Sequence, residues 1–247
     1  MEGESALIDA IYMMLPNFEF NMVVNPNTAA IPVMKKYFTR IHIQSNCGSK
    51  SSGFSFTLDE FPRLKSLSIE SNSLKQCASL VIKSSPLLKS VKVDSDCFMK
   101  AGGNLSALEI AECPELAIIS IGKNSFNHAS NVILHTLPSL VFFEFCESNF
   151  VDASYFSLFQ LDRLQTLVIP PNSMKAIRII QLISLPVLRK IILGRNCWIG
   201  SKKKSEVTCK GRCRFWLVSR LPQAGNDRFW RGRQHDVQCF QFARRPK

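Results

Sequence analysis

The sequence predicts a β-rich solenoid, a stack of short coils whose strands line up side by side in a parallel sheet. Three observations predict it. Apolar residues recur with a period of 24, each recurrence alternates with period two, and a proline stands before most of the alternating stretches. The anchors of the period are Pro62, Pro86, Pro114, Pro138, Asp162 and Pro186, spaced 24, 28, 24, 24 and 24 residues apart. Six positions counted from each anchor (−6, −4, +2, +5, +7 and +12) are apolar in all six copies. They run from Phe56, Leu58, Leu64, Leu67, Ile69 and Leu74 to Ile180, Leu182, Leu188, Ile191, Leu193 and Trp198. With 46% of the chain apolar, chance fills 36 of 36 such slots with a probability of about 10⁻¹².

Taken in chain order, Ser5 to Leu15 reads as a short helix with Ser5 as its N-cap, suited to covering the exposed first coil. It carries no basic residues and is too short to span a bilayer. A degenerate copy follows at Ile41-x-Ile43-x-x-Asn46, so residues 1–37 form an N-terminal cap or degenerate repeat and residues 38–198 the solenoid proper. Within each copy the stretch Leu64-x-x-Leu67-x-Ile69 alternates as a strand with one buried face. The upstream pairs, such as Phe56-x-Leu58 and Val132-x-Leu134, alternate too, which predicts a second, shorter set of extended segments on the opposite side. The single 28-residue spacing reflects four extra residues near Met99–Asn104, where Gly102-Gly103-Asn104 predicts a loop.

Leu64 to Leu74 spells Leu-x-x-Leu-x-Ile-x-x-Asn-x-Leu, and the asparagine slot holds Asn72, Asp96, Asn124, Ser148, Asn172 and Asn196. This pattern resembles the leucine-rich repeat family over roughly two-thirds of the chain. The resemblance implies an α/β-class leucine-rich-repeat solenoid: a β-rich right-handed horseshoe with a parallel concave sheet and short extended convex segments. It also implies that the asparagine side chains are buried and bond backbone groups of adjacent coils. It specifies fold far better than function.

From Gly200 the slots vanish. The body, residues 1–198, holds eighteen basic and sixteen acidic residues (net +2), whereas residues 199–247 hold thirteen and three (net +10). The pI of about 9.4 therefore describes a basic, flexible tail rather than a basic protein. Lys202-Lys203-Lys204 and the interleaved Phe215, Trp216, Phe229, Trp230, Phe240 and Phe242 are the residue types that bind single-stranded nucleic acid. The tail also carries Cys209, Cys213, His235 and Cys239, zinc-competent ligands whose 21-residue gap exceeds compact finger spacing.

Nothing points to catalysis. Of the four histidines, His42, His128, His135 and His235, His42 falls on the predicted concave face but has no nucleophile elbow and no fixed acidic partner, and Gly102-Gly103 belongs to no phosphate-binding pattern. No cofactor and no small-molecule substrate are expected. Cys47, Cys97 and Cys197 share a slot with Ser73, Ser125 and Ser173, which asks for a small side chain. Cys113 replaces a core residue, and Cys77 and Cys146 fall in variable loop positions. The acidic start (Glu2, Glu4), the scattered cysteines and the want of an apolar run of roughly 18 residues point to a cytoplasmic protein with no membrane partner.

The working surface is expected on the concave sheet, between the buried strand positions. Its central column reads Ser68, Lys92, Ser120, Glu144, Val168 and Ile192; the flanking column reads Ser66, Ser90, Ile118, Phe142, Thr166 and Lys190. The first coils are polar and the later ones apolar. Ile118, Phe142, Glu144, Val168, Lys190 and Ile192 are the expected partner-binding residues, with Phe142 as anchor. The sequence thus predicts a non-enzymatic scaffold that binds a protein partner. The alternatives are a nucleic-acid-associated protein acting through the tail, or a tail that folds back over the patch.

Overall fold

A computed structural model describes residues 10–15, 18–26, 31–48, 54–103 and 106–197, together with the strand backbones at 206–210, 216–219, 230–231 and 240–241. The chain is a parallel β-solenoid of about six turns with almost no helix. Each turn contributes one strand to a front sheet and one to a back sheet. The front strands are β1 (Asn21–Val24), β2 (Arg40–Ile43), β4 (Ser66–Ile69), β6 (Ser90–Val93), β8 (Ile118–Ile121), β10 (Phe142–Phe145), β12 (Thr166–Ile169) and β14 (Lys190–Leu193). The back strands are β3 (Phe54–Asp59), β5 (Cys77–Lys83), β7 (Ala107–Ala111), β9 (Asn131–His135), β11 (Tyr155–Phe159) and β13 (Ile179–Ile183).

Neighbouring coils pair in register, Leu67 beside Val91 and Val91 beside Ile119, so each apolar slot stacks on its own copy. The inward slots are buried along the whole stack, Leu64, Ile69, Leu80, Leu108 and Leu158 at 0% exposure. At position +12 the rings of Phe98 and Phe126 lie parallel at 4.5 Å, and Phe150 continues the stack at 5.7 Å. The four extra residues after Phe98 are taken up between that corner and the back strand, because Leu80 still pairs with Leu108.

Three residues per coil turn the corners in the left-handed backbone region, at positions −2, +10 and +12. Asn72 (φ 62°), Leu74 (φ 52°) and Ser84 (φ 48°) illustrate the set. For a bulky Phe or Leu that conformation costs about 1–2 kcal/mol, and burying its side chain returns about 1.5–3 kcal/mol. The corner therefore holds because the side chain at +12 points into the core. Gly122 is required for another reason: a Cβ there would sit 2.5 Å from the Asp94 carbonyl carbon and the Ser95 nitrogen of the preceding coil.

Several sequence expectations change. The back strands, five to seven residues long, are longer than the four-residue front strands, not shorter. Between corners −2 and +10 the front stretch must also make the turn at the anchor, which uses up residues that would otherwise extend the strand. Of the helix expected over Ser5 to Leu15, residues 10–13 are helical, and residues 5–9 lie outside the described residues. The helix end is fixed by Arg63, whose guanidinium donates to the carbonyls of Tyr12, Leu15 and Phe18, each at 2.7 Å. Tyr12, Phe18, Phe20, Tyr37 and Phe38 form a chain of ring contacts between 4.8 and 5.6 Å beside it. Between helix and first repeat the structure adds β1, parallel to β2, with no slot pattern of its own.

The asparagine expectation shifts by one residue. The slot at +10 is a half-exposed left-handed corner, and its side chains meet one another: Asn124 Nδ2 donates to Asp96 Oδ1 at 3.3 Å, and Asn196 Nδ2 to Asn172 Oδ1 at 3.1 Å. The buried ladder to neighbouring backbones is made by position +11. Ser73 Oγ donates to Gln44 O (2.7 Å) and accepts from Cys47 N (3.2 Å), and Ser125 Oγ donates to Asp94 O (2.9 Å) and accepts from Cys97 N (3.1 Å). Asn149 does the same with an amide. The slot shared by serine and cysteine thus needs a hydrogen-bonding group as well as a small one.

Beyond Leu193, strand backbone at β15 (Glu206–Lys210) pairs with β13, and at β16 (Trp216–Ser219) with β14, both parallel. Two short segments, β17 (Trp230–Arg231) and β18 (Phe240–Gln241), run antiparallel to β16 and β15. Both sheets thus continue past the last copy that the slots register.

Candidate functional site

The front sheet presents its +4 and +6 residues outward because +5 and +7 are locked into the core, as the exposed-buried alternation of β10 and β12 records. Its N-terminal part is polar, apart from Val23 of β1, an apolar side chain 51% exposed, and internally neutralised. Arg40 and Lys65 both bind Glu19 at 3.1 Å, and Lys92 binds Asp94 at 3.2 Å. His42 Nε2 lies 3.1 Å from Glu70 Oε1, while Glu70 Oε2 accepts from the Ser45 hydroxyl (2.9 Å) and amide (3.0 Å). The Ser45 bonds, foremost the hydroxyl, hold the Glu70 carboxyl below the ordinary carboxylate value.

His42 therefore has an acidic partner after all, one coil away in space and 28 residues away in sequence. The carboxylate stands between hydroxyl and imidazole, so this is not the order in which a base activates a nucleophile. A second exposed pair, His128 Nδ1 to Asp152 Oδ2 at 2.6 Å, likewise joins adjacent coils.

The C-terminal part of the front sheet is apolar. Ile118 pairs beside Phe142 and Val168 beside Ile192. Ile118 is 45%, Phe142 51% and Val168 42% exposed, so the apolar side chains lie open where two columns run together. Ile192 is only half-buried rather than open, and Lys190 and Glu144 are exposed. All six residues expected to bind a partner thus fall on one face.

Between Phe142 and Val168 the front sheet divides, while the back sheet runs unbroken from β9 through β11 to β13. In the other coils the residue at +8 closes the ladder: Glu70 N donates to Ile43 O, Asp94 N to Ile69 O, Gly122 N to Val93 O, Cys146 N to Ile121 O and Gly194 N to Ile169 O. In the divided coil this residue is Pro170, which has no N–H to donate to Phe145. Gly194 packs against the same corner, where a Cβ would lie 2.5 Å from Pro171 N and 2.7 Å from Pro170 C.

The buried thiols are structural. Burial pushes Cys77 and Cys97 up to about 12, and Cys113 and Cys197 up to about 11. Cys77, expected in a variable loop, is instead the fully buried first residue of β5, while Cys146 is exposed. Among the described residues no group of three or more His, Cys, Asp or Glu side chains is placed to hold a metal ion. Of the four zinc-competent tail residues, Cys213, His235 and Cys239 lie outside the described residues, and only the backbone of Cys209 is described. No helix among the described residues is long and apolar enough to cross a membrane. Comparison with protein-family models, with curated proteins and with solved structures finds no match in any of the three.

Proposed function

We propose that this chain is a non-enzymatic interaction scaffold of leucine-rich-repeat type, which binds a protein partner through the apolar half of its front sheet. The observation that carries the reading is the open apolar surface of Ile118, Phe142 and Val168, set on strands whose inward residues are wholly committed to the core. Exposed apolar side chains gathered on a rigid sheet favour association, because covering them removes apolar area from water. Phe142 is the anchor, since an aromatic ring offers the largest area for the fewest frozen torsions. A rigid stack of coils holds these side chains in a fixed arrangement before the partner arrives, which lowers the ordering cost of binding.

The test compares wild type with Phe142→Ala and Val168→Asp, both outward-facing and therefore expected to melt within about 1 kcal/mol of wild type. With a photo-crosslinking residue at Thr166 as reporter, wild type should form adducts that both variants lose. Adducts unchanged in both variants would remove this face from the proposal.

A further inference from the structure

The charges at the outward +4 and +6 positions of the front strands divide into two groups. Arg40, His42 and Lys92 each meet a carboxylate within the chain. Glu144 and Lys190 are exposed and, among the described residues, make no ion pair. They carry opposite signs, and they flank the apolar patch. Two coils separate them along the stack, with the unpaired junction of β10 and β12 between them. They also occupy different columns, +6 and +4, and form no ion pair with each other among the described residues.

We infer that the occupant of this face is a second copy of this chain, docked face to face about a two-fold axis that sets Glu144 of each copy against Lys190 of the other. This rests on the reading of the face as a protein-docking surface and names its partner. A patch bearing one unpaired acid and one unpaired base on opposite sides is self-complementary: a single two-fold operation satisfies both charges twice. The same operation lays Val168 against Ile192 of the second copy, and Phe142 against Thr166. Val168 is thus covered by an apolar side chain of the other copy, and Phe142 by the side chain of its Thr166. An unrelated partner would need its own acid and base at this spacing, whereas a second copy has them by construction.

The experiment is sedimentation velocity on the full chain across a dilution series, with Glu144→Lys, Lys190→Glu and the double exchange. Wild type should be a reversible dimer. Each single exchange sets like charges together twice per dimer and should raise the dissociation constant on the order of tenfold or more. Mixing the two single variants should restore wild-type association. In the mixed dimer the two exchanged side chains face each other with opposite signs, and the remaining native pair is intact. The double exchange should restore association as well. Restoration in the mixture also shows that the single variants are folded. A monomeric wild type, single variants that still dimerise, or a mixture that stays monomeric would each overturn the inference. If wild type is monomeric while Phe142→Ala and Val168→Asp still abolish crosslinking to another protein, the docking surface stands and only its occupant is wrong.

Discussion

Replacing Asn149 with alanine tests the buried polar ladder directly. Asn149 is fully buried; its Oδ1 accepts from Ser125 N at 2.9 Å, and its Nδ2 donates to Gly122 O at 2.9 Å and Cys146 O at 2.6 Å. Alanine strands the Ser125 N–H and strips two carbonyls of a donor. At about 1–3 kcal/mol for the stranded donor and about 1 kcal/mol for each carbonyl, the loss is about 3–5 kcal/mol. Serine is the informative control. Ser125 in the sister slot accepts from Cys97 N at 3.1 Å and donates to Asp94 O at 2.9 Å, so Asn149→Ser should keep one acceptor and one donor. It should cost only about 1–2 kcal/mol. Urea unfolding followed by circular dichroism measures both, read as midpoint shifts at constant slope because stacked coils can unfold in parts. An alanine variant within about 1 kcal/mol of wild type, or a serine variant as unstable as alanine, would refute the ladder as a source of stability.

Three further outcomes are expected. Because Glu70 has a folded-state pKa below its unfolded one, its Ser45 bonds stabilise the fold above the ordinary carboxylate range and are lost as pH falls through the folded value. The melting-temperature gap between wild type and Glu70→Gln should therefore be widest above about pH 5 and close in acid; a gap that widens in acid would reject this. Under native conditions iodoacetamide should label exposed Cys146 at least roughly a hundredfold faster than buried Cys97, by peptide mass mapping. Equal rates would mean that the coil opens freely. Gly122→Ala should cost about 2–3 kcal/mol, because the new methyl meets backbone rather than a flexible side chain, and a melt unchanged from wild type would show that the corner yields.

The period of the stack, the residues that face inward and the outward columns were legible in the sequence, since each depends only on alternation within a strand and on recurrence between strands. Leu67, Val91 and Ile119 could be assigned to one buried row before any coordinate was known. So could the outward setting of Phe142 and Val168. What the sequence could not decide were relations between coils. The contact of His42 with Glu70 and the reach of Arg63 to the carbonyls of Tyr12, Leu15 and Phe18 join residues 28 to 51 positions apart, and no spacing rule announces them. The ladder at +11 rather than +10 depends on which of two adjacent residues turns inward at a left-handed corner, which backbone torsion sets and residue type does not. The division of the front sheet at Pro170 was written in the chain as a proline but became visible only beside Phe145 of the preceding coil, whose carbonyl that position would otherwise serve. Alternation along a chain is local, so a sequence records it. Hydrogen bonding and charge pairing across a stack belong to pairs of distant residues, so only the folded arrangement decides them.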